Sequence, residues 1–173
     1  MVQFASITFI AAAAFAASLP RDVLETITNL ESVDAQVNTL TQTTVAWDGS
    51  GAGALAIVSA VSMLQSNIET GTLDASDEST ASSADSQTIL DYVTGTLGPD
   101  FTITLNELVS RQADIESIGA SSDVLSSLGD LKSDVDAYGA ALITITSPDL
   151  QADAQIALTS IDGEFDAAIA VFS

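Results

Sequence analysis

The sequence predicts an all-α domain, an antiparallel bundle of five or six amphipathic helices. Apolar residues recur at steps of three and four through most of the chain, the period of one face of an α-helix. The three prolines, Pro20, Pro99 and Pro148, fall between periodic stretches rather than inside them. Strand-like alternation is confined to residues 101–105 and 142–146, and the second of these continues a helical period.

The first helix spans residues 22–47, about 39 Å of chain. Val23, Ile27, Leu30, Val33, Val37, Leu40, Thr44 and Trp47 form its stripe, and the remaining positions are mostly Thr, Ser, Asn, Gln, Asp and Glu. The glycine-rich run Asp48-Gly49-Ser50-Gly51-Ala52-Gly53 follows. A dinucleotide fingerprint would need a strand before it and glycine at position 54; a helix precedes it, so it reads as a helix–helix turn. The second helix carries Ala54, Ile57, Val61, Leu64 and Ile68, with Gly71 as its stop. Residues 74–88 are polar and Ser-rich and read as a loop leading into a weaker third helix with Ile89, Tyr92, Val93 and Leu97.

Thr104 and Glu107 have capping-box spacing, with Ile103 and Leu108 placed as a hydrophobic staple. The fourth helix therefore starts at Leu105, or earlier after Pro99, and its stripe is Leu105, Leu108, Gln112 and Ile115. The fifth follows Ser121-Ser122-Asp123 and has the cleanest stripe: Val124, Leu128, Leu131, Val135, Tyr138, Leu142 and Ile145. The sixth opens with Ser147 as N-cap and Pro148 at N1, and carries Leu150, Ala154, Ala157, Ile161, Phe165, Ile169 and Phe172. Short connections favour antiparallel neighbours.

Charge and composition narrow the function. The 173 residues hold 24 carboxylates against three bases, a net charge of −21. This argues strongly against nucleic acid, whose binding needs neutralised phosphates, and disfavours anionic membrane surfaces by the same repulsion. The same repulsion favours a monomer. With no histidine and no cysteine, His-based triads, thiol chemistry, disulfides and His or Cys metal sites are all ruled out. No calcium loop occurs, and Asp134 and Asp136, two apart on a helix, face different ways. Two carboxylates could run glycoside hydrolysis, yet nothing singles out a pair. No cofactor and no enzyme activity are expected.

The first nineteen residues are uncharged, residues 4–17 are largely apolar, and Ala14-Phe15-Ala16 fits an A-x-A cleavage site. Residues 1–16 thus read as a cleaved secretory signal, leaving residues 17–173 as a single extracellular domain; a buried N-terminal helix is the alternative.

The leader, Arg21-Asp22-Val23, the words Val45-Ala46-Trp47-Asp48-Gly49 and Gly53-Ala54-Leu55-Ala56-Ile57, and residues 161–169, IDGEFDAAI, mark a resemblance. The chain resembles the fungal hydrophobic surface-binding protein A family, which includes lipid-binding domains of cell-wall galactomannoproteins. The resemblance implies a secreted, non-catalytic helical bundle that adsorbs to hydrophobic surfaces, encloses a fatty acid between its helices, or does both. It also implies a partner, a secreted polyester-degrading hydrolase recruited to the surface. The Ser/Thr-rich stalk and anchor signal of the mannoproteins are missing from this sequence, which favours a free secreted protein over a wall-anchored one.

An acyl chain between the helices would touch inward residues of several stripes: Val37, Leu40, Thr44, Trp47, Leu64, Ile115, Leu131, Val135, Leu142, Ile161 and Phe165. Thr44 and Gln112 are polar positions on apolar stripes. Either they are satisfied locally, Thr44 by a carbonyl one turn back, or they hold a ligand head group. Arg111 either pairs with a neighbouring acid or holds a carboxylate against the domain's repulsion. Trp47 either caps the core or lines a pocket mouth.

Overall fold

The computed structural model describes residues 21–173, and the predicted stripes lie on helical segments, the fourth being divided between two helices by a break at Arg111. The predicted leader lies outside the described residues. The elements are α1 (Arg21–Ala46), α2 (Gly51–Asp77), α3 (Ser83–Tyr92), a π-helical turn (Val93–Leu97), α4 (Gly98–Ser110), α5 (Gln112–Ser117), α6 (Ser121–Ile145) and α7 (Gln151–Phe172). No strand occurs among the described residues. Seven of the eight stripe positions of α1 and its exit are buried, with Ile27 partly so.

Several helix boundaries differ from those the sequence predicts, some for a local reason and some because of packing between helices. Helix α2 runs through Asp77, so Gly71 does not end it. A Cβ at Gly71 would stand 2.8 Å from Cζ of Tyr138; the glycine lets α2 and α6 approach closely. The loop therefore shrinks to residues 78–82, and Ser82 caps α3 by accepting the Asp85 N–H at 3.2 Å. Pro99 does not separate two helices. Proline has no N–H for a carbonyl one turn back, and the chain continues through the wider π turn, where the Gly98 N–H reaches the Val93 carbonyl.

The Thr104–Glu107 capping box does not form. Thr104 is buried in mid-helix with its hydroxyl donating to the Asp100 carbonyl at 2.8 Å, and Ile103 is 55% exposed. The packing of α4 against α1 and α7 overrides that local signal. Helix α7 starts at Gln151 rather than Pro148, because residues 148–150 form a turn closed by the Leu150 N–H on the Ser147 carbonyl at 2.9 Å.

The long helices close a ring in the order α1, α2, α6, α7, α4. Successive long segments run up and down, as the short connections dictate. Neighbours in the ring are another matter. Asn38 meets Asp100 and Thr41 meets Thr104, so α1 and α4 run the same way. By the same reading α2 runs with α6, through Gln65–Asp134 and Gly71–Tyr138. Phe101–Phe165 and Gln112–Val171 align α4 with α7.

Candidate functional site

Helix α2 begins with very little side-chain volume: Gly51, Ala52, Gly53, Ala54 and Ala56. Its stripe residues Ala54, Ile57 and Val61 are only partly buried, although Leu64 and Ile68 further along are fully buried. The difference is a void. A cavity of about 320 Å³ lies between the first half of α2, the C-terminal half of α1, α4, α5 and the first half of α6. That volume is within the range of about 300–1,000 Å³ typical of small-molecule sites. Its wall is apolar: Leu40, Trp47, Leu64, Leu105, Leu108, Ile115, Ile118, Val124, Leu128 and Leu131. Leu55 and Val58 also line it while remaining 70% and 60% exposed, so the mouth opens between α2 and the Asp123–Ser127 side of α6.

The polar groups in the deep wall are already committed. The Thr44 hydroxyl donates to the Leu40 carbonyl at 2.9 Å, one turn back. The Thr104 hydroxyl shares a 2.5 Å hydrogen bond with Thr41 besides its bond to Asp100. Neither of the two bases with described side chains lines the cavity. Lys132 ties α6 to α7, with Nζ 3.3 Å from Asp136 and 3.6 Å from Asp162. Asp123, an exposed acid, stands at the mouth.

Arg111 and Trp47 build the closed end. The turn after α1 needs Gly49, whose φ of 79° is left-handed. Ser50 caps α2 by accepting the Gly53 N–H at 3.0 Å, and the Trp47 indole donates to the Ser50 carbonyl at 2.8 Å. A Cβ on Gly53 would lie 2.8 Å from the Trp47 ring, so α2 rests directly on it. The Arg111 guanidinium donates to the carbonyls of Thr44 and Trp47 at 3.3 and 2.7 Å and to Asp114 at 2.7 Å.

Of the thirteen lining residues expected from sequence, Leu40, Thr44, Trp47, Leu64, Ile115 and Leu131 border this cavity. Val135, Leu142 and Ile161 border a smaller one of about 60 Å³ further along the bundle axis. Val37 and Phe165 are fully buried in the core between helices. Arg111 sits at the α4–α5 corner. Gln112 reaches Glu116 at 2.8 Å and the Val171 carbonyl at 3.3 Å, joining α5 to the end of α7. Leu55, Val58 and Phe101, which lie on no predicted stripe, also border the larger cavity, as do Ile118 and the stripe residues Leu105, Leu108, Val124 and Leu128, none of them among the expected lining residues. The uncharged, small-residue start of α2 was the available signal for Leu55 and Val58; for Phe101 it was the period of the fourth stripe, which it extends by one step of four before Leu105.

The outer surface of α2 is unusual for so acidic a chain. No charge occurs from Gly51 to Ile68, and Leu55, Val58 and Met63 are exposed. Away from this face a buried acid on α1, Asp34, is linked to the half-buried Asp100 on α4. Asp34 is 9% exposed, Asn38 bridges it to Asp100 at 3.3 and 2.9 Å, and its Oδ1 has no hydrogen-bond partner. Burial first, then the neighbouring Asp100 carboxyl, pushes Asp34 up to about 6.

The family model described as hydrophobic surface binding protein A matches residues 23–144. No curated protein sequence matches the chain. Afmp4p, whose crystal structure was determined with palmitic acid, is 33% identical, with a TM-score of 0.84 over 87% of this chain and 99% of that one. Ligand-binding domains 1 and 2 of the Penicillium marneffei MP1 protein, solved with arachidonic acids, are 16% and 14% identical. Their TM-scores are 0.83 and 0.81, covering 88% and 90% of this chain and 99% and 97% of theirs. At such low identity these two establish the shared fold alone.

Proposed function

Because the chain belongs to the hydrophobic surface binding protein A family, we propose that it is a secreted, non-enzymatic carrier that holds a fatty acid in the cavity between α2 and α6. The observation that carries this reading is the apolar void of about 320 Å³ with its deep hydroxyls already bonded. Each methylene buried there contributes up to about 0.8 kcal/mol, set against the cost of association. The hydrocarbon occupies the wall formed by Leu40, Trp47, Leu64, Ile115 and Leu131. The carboxylate stays at the mouth, in water, because no described base lines the cavity and Asp123 repels it. The absence of histidine and cysteine supports the non-enzymatic reading. The uncharged leader supports secretion, with the mature domain starting near Ala17. The charge of −21 supports a monomer.

Titration of the delipidated protein with palmitic acid tests the reading. One saturable site is expected; no saturable binding of any long-chain acid would overturn it.

A second reading is favoured by the outer face of α2. Leu55, Val58 and Met63, on an uncharged helix segment, suit adsorption to an apolar solid, where the acidic remainder stays in water and is free to meet a secreted polyester hydrolase. Adsorption to hydrophobic beads that survives when the cavity is filled, and falls with Leu55→Asp, would support it.

A further inference from the structure

We propose that the smaller cavity is a second acyl subsite, closed off by the ring of Phe101, and that this ring sets the length of hydrocarbon the protein accepts. The inference rests on the fatty-acid reading above. The two voids lie on one axis. From the larger to the smaller, the wall passes from Leu64 to Ile68 on α2 and from Leu131 to Val135 on α6. Four residues of helix advance about 6 Å, so the voids are stacked roughly one turn apart. Phe101 alone borders both.

The chemistry of the two walls is the same. No charged residue lines the smaller void, and its Thr146 hydroxyl is bonded to the Leu142 carbonyl at 2.8 Å. An apolar space of this kind gives water almost no polar partner, and its walls lack contacts that methylenes would supply. Phe101 is buried, and its ring leans on Phe165 with centroids 5.7 Å apart and planes 54° apart. Space on both sides gives the ring room to turn. The backbone before it is the π turn, whose Val93 and Leu97 line the smaller void, and such turns recur where helices serve a function. A chain long enough to fill the first cavity therefore meets a displaceable aromatic floor, with matching apolar space beneath it.

The test is titration of the delipidated full chain with lauric, palmitic and arachidic acids, for wild type and for Phe101→Leu, Phe101→Ala and Phe101→Trp, with folding checked by circular dichroism. The Leu variant keeps most of the core volume should the Ala variant fail to fold. Opening the floor should raise the arachidic-to-palmitic affinity ratio by about tenfold for every two methylenes newly accommodated, and the Trp variant should lower it. An unchanged length profile in the folded variants would overturn the partition while leaving the fatty-acid reading intact. No binding of any acid by wild type would overturn both.

Discussion

The guanidinium of Arg111 lies 4.9 Å from the centre of the Trp47 ring and donates to the Trp47 carbonyl at 2.7 Å. One side chain thus covers the indole and caps the C-terminal end of α1, where carbonyls lack helical partners and the helix dipole favours a cation. The arrangement locks the corner between α4 and α5 onto the end of the cavity.

Arg111→Ala should therefore act on stability first. Loss of the caps to two carbonyls and of the aromatic contact should cost about 1–3 kcal/mol, read by denaturant unfolding. Arg111→Lys should recover little of it, since a point charge cannot replace the planar fork. Palmitic acid affinity of the folded Ala variant should change far less; a loss of affinity outrunning the loss of stability would make Arg111 a head-group contact instead.

The mouth should behave as a weak electrostatic barrier to acids. Asp123→Asn should raise palmitic acid affinity by up to about fivefold, the reach of an exposed charge interaction of about 1 kcal/mol. The gain should shrink at high salt and be missing for the uncharged alcohol of the same length. Equal gains for acid and alcohol would place the effect on packing rather than charge.

Stability should fall as pH rises through the Asp34 window. Folding raises this carboxyl from its ordinary 3.8 to about 6, mainly by burial and then by Asp100, so between those values the native state holds the proton and the unfolded chain has lost it. Stability contributed by the proton is complete at the acidic end and lost towards pH 7. Asp34→Asn should accordingly raise the Tm at pH 7 and leave it nearly unchanged at pH 4, measured by thermal melts. Solubility should follow the opposite course, dropping near the sequence pI of about 4.1 as self-repulsion fades.

Two glycines separate packing from propensity. Gly71→Ala should cost about 1–3 kcal/mol, because the added Cβ meets the Tyr138 ring at 2.8 Å. Gly129→Ala, on an exposed turn of α6 with nothing within 4 Å, should stabilise by about 0.5–1 kcal/mol. Chemical denaturation of both variants checks the contrast.

The helices themselves were legible in the sequence because each carries a one-sided apolar stripe, and a stripe reports burial directly. The stripe of α1 from Val23 to Trp47 was read residue by residue, as was that of α6 from Leu128 to Ile145. Local bonding was legible too: a threonine on an apolar stripe has a carbonyl within reach one turn back, and Thr44 uses it. What no stripe encodes is which faces meet and how closely they fit. That α4 lies parallel between α1 and α7, that Gly71 makes room for Tyr138 rather than ending a helix, and that Arg111 serves a turn 64 residues earlier in the chain all depend on contacts distant in sequence. The void was decided the same way. Small residues at the start of α2 permit either a closer helix or an empty space, and only the placement of α6 and α5 around that face leaves the space open.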